Sequence, residues 1–173
     1  MAGVAWKQAK ESEEKAILSV VSGQELLKED VDKALAIMQS QEGGLQKFAV
    51  SMRQKAWRYV QNGDFKSALV AVNAANKADP LHKGSKVYSG RINLALGNNT
   101  QAIADVNTFV ELEMDLTKGP NTIGWMDGAS VIAKTRDIEA FTKYCEKMFE
   151  KFSSPKNRMT SERVAKGALM VYS

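Results

Sequence analysis

The chain has 173 residues, of which 44% are hydrophobic and 25% charged, a composition typical of a soluble globular protein and not of a disordered one. The net charge is +4, but the 24 basic residues are interspersed with 20 acidic ones, so nucleic-acid binding is not expected. No run approaches the roughly 18 to 20 apolar residues of a membrane span, and one histidine with one cysteine cannot form a typical zinc site.

Two helices are predicted at the amino-terminal end, over residues 4–21 and 28–40. Apolar residues of the second recur at helical spacing: Val31, Ala34, Leu35 and Met38. Residues 1–48 therefore form a predicted helical hairpin, either a degenerate repeat or a capping pair. Because the first fifteen residues lack the apolar core of a signal peptide, a cytoplasmic location is expected if the chain is complete.

A period of 34 residues organises the middle of the chain. Small residues recur at this spacing without a gap: Ala56, Gly63 and Ala68, then Gly90, Gly97 and Ala102. The two outer residues of each set predict where two antiparallel helices approach each other closely. The glycine between them predicts a turn with a positive φ angle, which glycine adopts at little cost.

Other side chains mark the ends of these helices. Asp64 and Thr100 precede the second helix of each unit and are predicted N-caps, because their side-chain oxygens can accept backbone N–H groups. Pro80 follows the second helix of the first unit and is expected to end it.

A third unit is predicted over residues 121–154, after a four-residue insertion around residues 118–120. It has Gly128 and Ala140 at the small positions, and Thr135 at the position of the turn glycine. A last helix is predicted within residues 155–173, where it would cap the apolar end of the third unit.

Residues 49–82 resemble a tetratricopeptide repeat, with the signature residues Ala56, Tyr59, Gly63, Phe65, Ala68, Ala75 and Pro80. Residues 83–116 and 121–154 resemble a second and a third repeat. The resemblance implies an all-α fold, a right-handed solenoid of about eight helices arranged as antiparallel hairpins. It also implies that the first helix of each repeat lines a concave groove.

A narrower resemblance concerns the carboxy-terminal part. Its residues 144–148, Phe152 and residues 161–166 are similar to the tetratricopeptide region of planctomycete-type multidomain serine/threonine kinases. The chain has no Gly-rich phosphate loop, no His-Arg-Asp and no Asp-Phe-Gly sequence. This resemblance therefore implies a non-catalytic scaffold.

The predicted groove contains the types of residue that anchor protein interfaces, and we select Arg53, Trp57, Tyr88, Arg91 and Trp125 as partner-binding residues. Arginine can pair a carboxylate through two hydrogen bonds, and indole buries a large area at a low entropic cost. The alternative for both tryptophans is packing against neighbouring helices, and the sequence leaves it open.

Few residues could carry chemistry. Cys145 has no second cysteine to pair with and is expected to be a buried structural thiol, and His82 is expected in a turn. We therefore expect no enzymatic activity and no cofactor. The predicted function is a scaffold that binds another protein or a peptide in the groove. The alternative is a structural subunit fixed in a larger assembly through its convex or end faces, and a homo-oligomer is left open.

Overall fold

A computed structural model describes residues 28–114, 122–153 and 158–169, and every regular element in these ranges is an α-helix. The eight helices are α1 (Lys28–Gln39), α2 (Gly44–Gln61), α3 (Phe65–Ala78), α4 (Lys83–Ala95), α5 (Asn99–Met114), α6 (Thr122–Thr135), α7 (Ile138–Lys151) and α8 (Arg158–Leu169). The all-α prediction is confirmed for these residues, whereas the helix predicted over 4–21 lies outside them. No helix in the described ranges is long and apolar enough to cross a membrane.

The chain divides into two compact units, Met1–Pro80 and Leu81–Ser173. The described part of the first unit contains α1 to α3, and that of the second contains α4 to α8. The boundary falls at Pro80, directly after the helix that this proline was expected to end. The two units are described separately below.

In the first unit, α2 and α3 form a helical hairpin with a tight turn. Gly63 has a φ angle of 76°, and the Asp64 side chain accepts a hydrogen bond of 3.0 Å from the Ser67 backbone N–H. Both predictions for this turn are confirmed. Ala56 and Ala68 are fully buried, which allows the two helices to pack closely. Helix α1 packs against this hairpin.

In the second unit, α4 and α5 form another hairpin, whose turn contains Gly97 with a φ angle of 77°. A Cβ atom on Gly90 would lie 3.1 Å from the carbonyl oxygen of Ala102, a tighter contact than a Cβ atom usually makes, so glycine favours this close approach. The prediction for these three residues is confirmed. Thr100 is not the N-cap, because α5 already begins at Asn99.

Polar side chains also join α4 to α5. The hydroxyl of buried Ser89 donates to Asp105 Oδ2 at 2.5 Å, and Asn93 Nδ2 donates to the same oxygen at 2.9 Å. Gln101 donates to the other carboxylate oxygen at 2.9 Å. The bonds from Ser89 and Asn93 each require one rotation and one height of α4 against α5, so they fix the register of the hairpin. The Gln101 bond lies within α5 and orients the Asp105 carboxylate.

The third predicted unit is out of register by one residue. The residue with a positive φ angle is Arg136, at 60°, and not Thr135. Arg136 stands 73 residues after Gly63, which is two periods of 34 plus an insertion of five residues instead of four. Thr135 is β-branched and disfavours a positive φ angle. Its hydroxyl donates to the Ile132 carbonyl at 2.6 Å, and Asp137 is the N-cap of α7.

This shift also changes the packing of the third pair. A Cβ atom on Gly128 would lie 2.5 Å from the hydroxyl of Tyr144, so the close approach involves Tyr144 and not Ala140. Helix α8 packs on α6 and α7: Val164 and Ala168 contact the core of the unit, and a Cβ atom on Gly167 would lie 3.2 Å from Met148 Sδ.

Candidate functional site

The exposed face of α2 is the first candidate surface. Residues of α2 at three- and four-residue spacing share one side of the helix, and those facing outward form what we call the α2 stripe: Lys47, Val50, Arg53, Gln54, Trp57 and Arg58. The opposite side of the helix, which includes Phe48 and Met52, is buried in the first unit. Packing thus fixes which side of α2 is exposed.

Trp57 is the largest apolar residue of the stripe. It is 58% exposed, and Val50, two turns earlier, is 43% exposed. Trp57 also lines a shallow depression of about 400 Å³, together with Arg53, Gln54 and Arg58. Of the two alternatives that the sequence left open for Trp57, the structure favours a surface position over packing between helices.

The charges of α2 are all positive: the helix contains Lys47, Arg53, Lys55 and Arg58 and no acidic residue. Arg53 is partly neutralised by Asp79, whose Oδ2 accepts from its Nη1 at 3.1 Å. No acidic side chain of the described residues lies within ion-pair distance of Lys47 or Arg58, whereas six ion pairs occur elsewhere or at the edge of this surface.

Lys55 lies on the inner side of α2. The residue is 7% exposed, and its ammonium group is buried without a hydrogen-bond partner among the described residues. Burial lowers the pKa of Lys55, and the like charge of Arg58 lowers it further. Lys55 and Arg58 therefore repel each other.

Two further predicted site residues belong to the second unit, on α4. Arg91 is exposed and Tyr88 is half-buried. Burial raises the pKa of the Tyr88 phenol, and the positive charge of Arg91 partly opposes this increase. The two side chains are therefore close, one helical turn apart, but they lie in a different unit from Arg53 and Trp57.

Trp125, the fifth predicted site residue, is a core residue of the second unit. It is 1% exposed, and its ring contacts three others: Phe109 at 5.7 Å, Tyr144 at 5.4 Å and Phe152 at 5.8 Å between centroids. Its backbone oxygen accepts a hydrogen bond of 2.5 Å from the Tyr144 hydroxyl. A side chain without accessible surface cannot contact a partner, so the packing alternative holds for Trp125.

The one-residue shift of the third pair explains this difference. With Arg136 aligned to Gly63, Trp125 corresponds to Met52, which is fully buried in α2. Under the four-residue insertion it corresponds to Arg53, on the exposed side. One residue rotates a helical side chain by about 100°, enough to move it from the surface into the core.

A buried charge that no sequence pattern predicts lies beside Trp125. Glu113 is 1% exposed; its Oε1 lies 2.9 Å from the Lys83 ammonium, and its Oε2 accepts from Trp125 Nε1 at 3.3 Å. Lys151 donates to the backbone oxygen of Glu113. Thirty residues separate Lys83 from Glu113, so no local spacing pattern connects them.

A cleft between α5 and α7 is the second candidate surface. It measures about 500 Å³, with an apolar part formed by Ile103, Val110 and Tyr144 and a rim of mixed charge, Glu111, Asp137, Glu139, Lys143 and Lys147. Glu139 and Lys143 pair with each other at 2.6 Å. The rim is already neutralised in part, which distinguishes this cleft from the α2 stripe.

Reactive groups are sparse in the described ranges. Cys145 is half-buried, and burial raises the pKa of its thiol, which disfavours the thiolate form. His82 has a structural role, because its Nδ1 accepts from the Ser85 backbone N–H at 3.1 Å and so caps α4. No group of three or more histidine, cysteine or acidic side chains within these ranges could hold a metal ion.

Comparison with models of known protein families finds none that matches the chain, and comparison with curated proteins finds no match.

Proposed function

We propose that the protein is a non-catalytic interaction module that binds a helix or an extended peptide of another protein through the α2 stripe. The observation that carries this proposal is the exposure of Trp57 beside Arg58, on a side of the helix that also carries Lys47; neither cation has a counter-ion in the described ranges. Tryptophan and arginine are enriched among the residues that contribute most to binding.

The proposal extends to the architecture, a right-handed solenoid of tetratricopeptide type. Its support is the 34-residue recurrence together with the two similar hairpins, whose turns contain Gly63 and Gly97 with positive φ angles. In such a solenoid α2 is the first helix of a repeat, and its exposed side lines the groove. The resemblance of residues 144–148, Phe152 and residues 161–166 to the repeat region of multidomain kinases is compatible with a scaffold function.

The energetic argument concerns the area of Trp57. An apolar surface removed from water contributes about 25 cal/mol per Å², so burying an exposed indole against a partner would contribute about 2 kcal/mol. Because Trp57 already lies on an ordered helix, little conformational entropy is lost when it is covered. A second apolar residue on the same side, Val50, widens the contact.

The test is affinity capture from lysate of the source cells with quantitative mass spectrometry. The wild-type chain is compared with Trp57→Ser/Arg58→Glu, which changes the α2 stripe. The matched control is Phe149→Ser/Lys66→Glu, which changes an equally exposed aromatic and an exposed cation elsewhere. Circular dichroism verifies that all three chains are folded.

We expect proteins that the wild type and the control capture and the α2 variant does not. If the α2 variant captures every protein that the wild type captures, the function does not depend on the α2 stripe and the proposal is wrong.

A second candidate is a structural subunit held permanently in a larger assembly. The observation in its favour is a set of exposed large apolar residues in the second unit: Ile123, Ile138, Phe149 and Leu169. In the same experiment this function predicts the opposite pattern, a loss of capture with Phe149→Ser/Lys66→Glu and none with the α2 variant. Sedimentation velocity of the wild type alone would then detect self-association.

A further inference from the structure

We infer that the segment bound by the α2 stripe is an acidic segment of another protein, with a large apolar side chain that packs between Val50 and Trp57. This inference rests on the proposed function and adds the chemistry of the partner. It follows from the arrangement of the stripe, which has apolar residues along its centre and cations at its edges, and from the absence of acidic residues on α2.

The apolar residues form the centre line of the stripe. Val50 and Trp57 are seven residues apart, two helical turns, so their side chains point in the same direction about 10 Å from each other along the axis. Gln54 lies between them and is exposed. A leucine-sized side chain placed over Gln54 would contact both apolar residues.

Cations border this centre line on both sides. Arg53 lies on one side, whereas Lys47 and Arg58 lie on the other, about 16 Å apart along the helix axis. A peptide along the centre line would therefore have Lys47 and Arg58 on one edge and Arg53, partly neutralised by Asp79, on the other. Acidic side chains on its two edges would reach these charges while its apolar side chain contacts Trp57.

The charge of the stripe lacks compensation within the described part of the chain. Lys47 and Arg58 have no ion pair there, and Arg58 and buried Lys55 repel each other. An acidic partner would supply the missing counter-ions and reduce this repulsion. Surface charges steer association and select partners more than they raise affinity, so the expected result is selectivity for acidic sequences.

A nucleic acid fits this surface less well than an acidic protein segment. Binding to a phosphate backbone uses several cations in a row, whereas this stripe has two without a counter-ion. The apolar centre line also matches an aliphatic or aromatic side chain of a peptide.

The test is a selection from a phage-displayed library of random 16-residue peptides. The full chain is the target, and the Trp57→Ser variant removes peptides that bind elsewhere. We expect the retained peptides to contain more Asp and Glu than Lys and Arg, together with a conserved spacing between acidic and large apolar residues. A parallel selection uses the Lys47→Glu/Arg58→Glu variant as the target. We expect the peptides retained by this variant to contain more Lys and Arg than Asp and Glu.

Affinities of three synthetic probes complete the test, measured by fluorescence anisotropy: the best acidic peptide, the same peptide with every Glu and Asp replaced by its amide, and a single-stranded oligo-dT. We expect binding at least tenfold weaker for the amide peptide. We also expect the acidic peptide to bind Lys47→Glu/Arg58→Glu at least tenfold more weakly than the wild type, and more weakly still at higher salt.

Three results would overturn the inference. Trp57-dependent peptides without an acidic excess would leave the interaction function intact and exclude the acidic partner. Tighter binding of the oligonucleotide than of any peptide, lost in the charge-reversed variant, would assign the stripe to nucleic acid. Selection of no Trp57-dependent peptide would also contradict it, and the capture experiment with lysate would then decide whether the interaction function itself fails.

Discussion

Two tryptophans that the sequence placed in one groove have opposite environments. Trp57, on α2 of the first unit, is 58% exposed beside Arg53 and Arg58, whereas Trp125, on α6 of the second unit, is 1% exposed within an aromatic cluster. Each stands on the first helix of a hairpin. The difference shows that the position of a residue along a repeat predicts its environment only if the repeats are aligned correctly to one residue.

The consequences of this difference can be measured directly. Trp125 has ring contacts on several sides and a hydrogen bond to a buried carboxylate, so its removal affects folding. Trp57 has solvent on its outer side, so we expect its removal to leave folding unchanged and, under the proposed function, to weaken binding. The predictions below test this division and related pairs, from the largest expected effect to the smallest.

Substitution of each tryptophan by alanine gives the sharpest contrast. We expect Trp125→Ala to lower the free energy of unfolding by about 3–5 kcal/mol, because it leaves a large cavity in the core. We expect Trp57→Ala to change it by less than about 0.5 kcal/mol. Urea denaturation followed by circular dichroism measures both values. Equal losses in the two variants would contradict the assignment of Trp57 to the surface.

Two ion pairs with different burial provide the second contrast. Lys83→Ala leaves the carboxylate of Glu113 buried without this partner, and we expect a loss of about 3 kcal/mol. Arg53→Ala breaks a more exposed pair with Asp79, and we expect a loss below about 1 kcal/mol. Thermal and urea unfolding of the two variants would show similar losses if Glu113 were hydrated instead of buried.

Lys55 provides a prediction with a defined dependence on pH. Its pKa is lowered in the folded chain, so the folded state disfavours the ammonium form. We therefore expect Lys55→Met to raise the free energy of unfolding by about 1–2 kcal/mol at pH 7, because methionine has nearly the same shape as lysine and places no charge in the buried position.

The sign follows from the two states of Lys55. At pH 7 both the folded and the unfolded chain carry the charge, and only the folded chain keeps it out of water. As the pH rises from the folded pKa towards 10.5, the folded amine is neutral first and the difference between wild type and variant decreases. Urea denaturation between pH 7 and pH 10 measures this change. A constant difference would contradict the lowered pKa.

The last prediction concerns the cap of α4. We expect His82→Ala to lower the free energy of unfolding by about 1 kcal/mol, because the Ser85 backbone N–H loses its acceptor. His82→Asp supplies another acceptor and a favourable charge at the helix start, so we expect it to retain the stability. Differential scanning calorimetry of the three chains compares them. Equal melting temperatures of the alanine variant and the wild type would show that the cap contributes nothing.

Much of the described fold follows from local rules. The spacing of apolar residues predicted α1, and the glycines at 63 and 97 predicted the positive φ angles of two turns. Asp64 was predicted as an N-cap because only its own side chain and the next few backbone groups are involved. Gly90 was predicted at a close helix contact from the 34-residue recurrence.

The errors occurred where the recurrence was weakest. The turn of the third pair contains no glycine that would mark its position in the sequence. An insertion of four residues, which places Thr135 in the turn, therefore fitted the sequence as well as an insertion of five. The choice reversed the environment of Trp125 and assigned the close contact of Gly128 to Ala140 instead of Tyr144. The rim of the α5–α7 cleft and the pair of Lys83 with Glu113 could not be predicted, because their residues are distant in the chain.

The sequence by itself therefore determined the helices, two of their turns and the positive charge of α2, since these depend on neighbouring residues and on composition. Only the tertiary structure decided which of Trp57 and Trp125 is exposed, that Glu113 is buried and that Lys55 is buried without a partner among the described residues. The physical reason is that burial depends on the rotation and height of each helix against the others. A change of one residue in register rotates a side chain by about 100°, and only packing selects between the two positions.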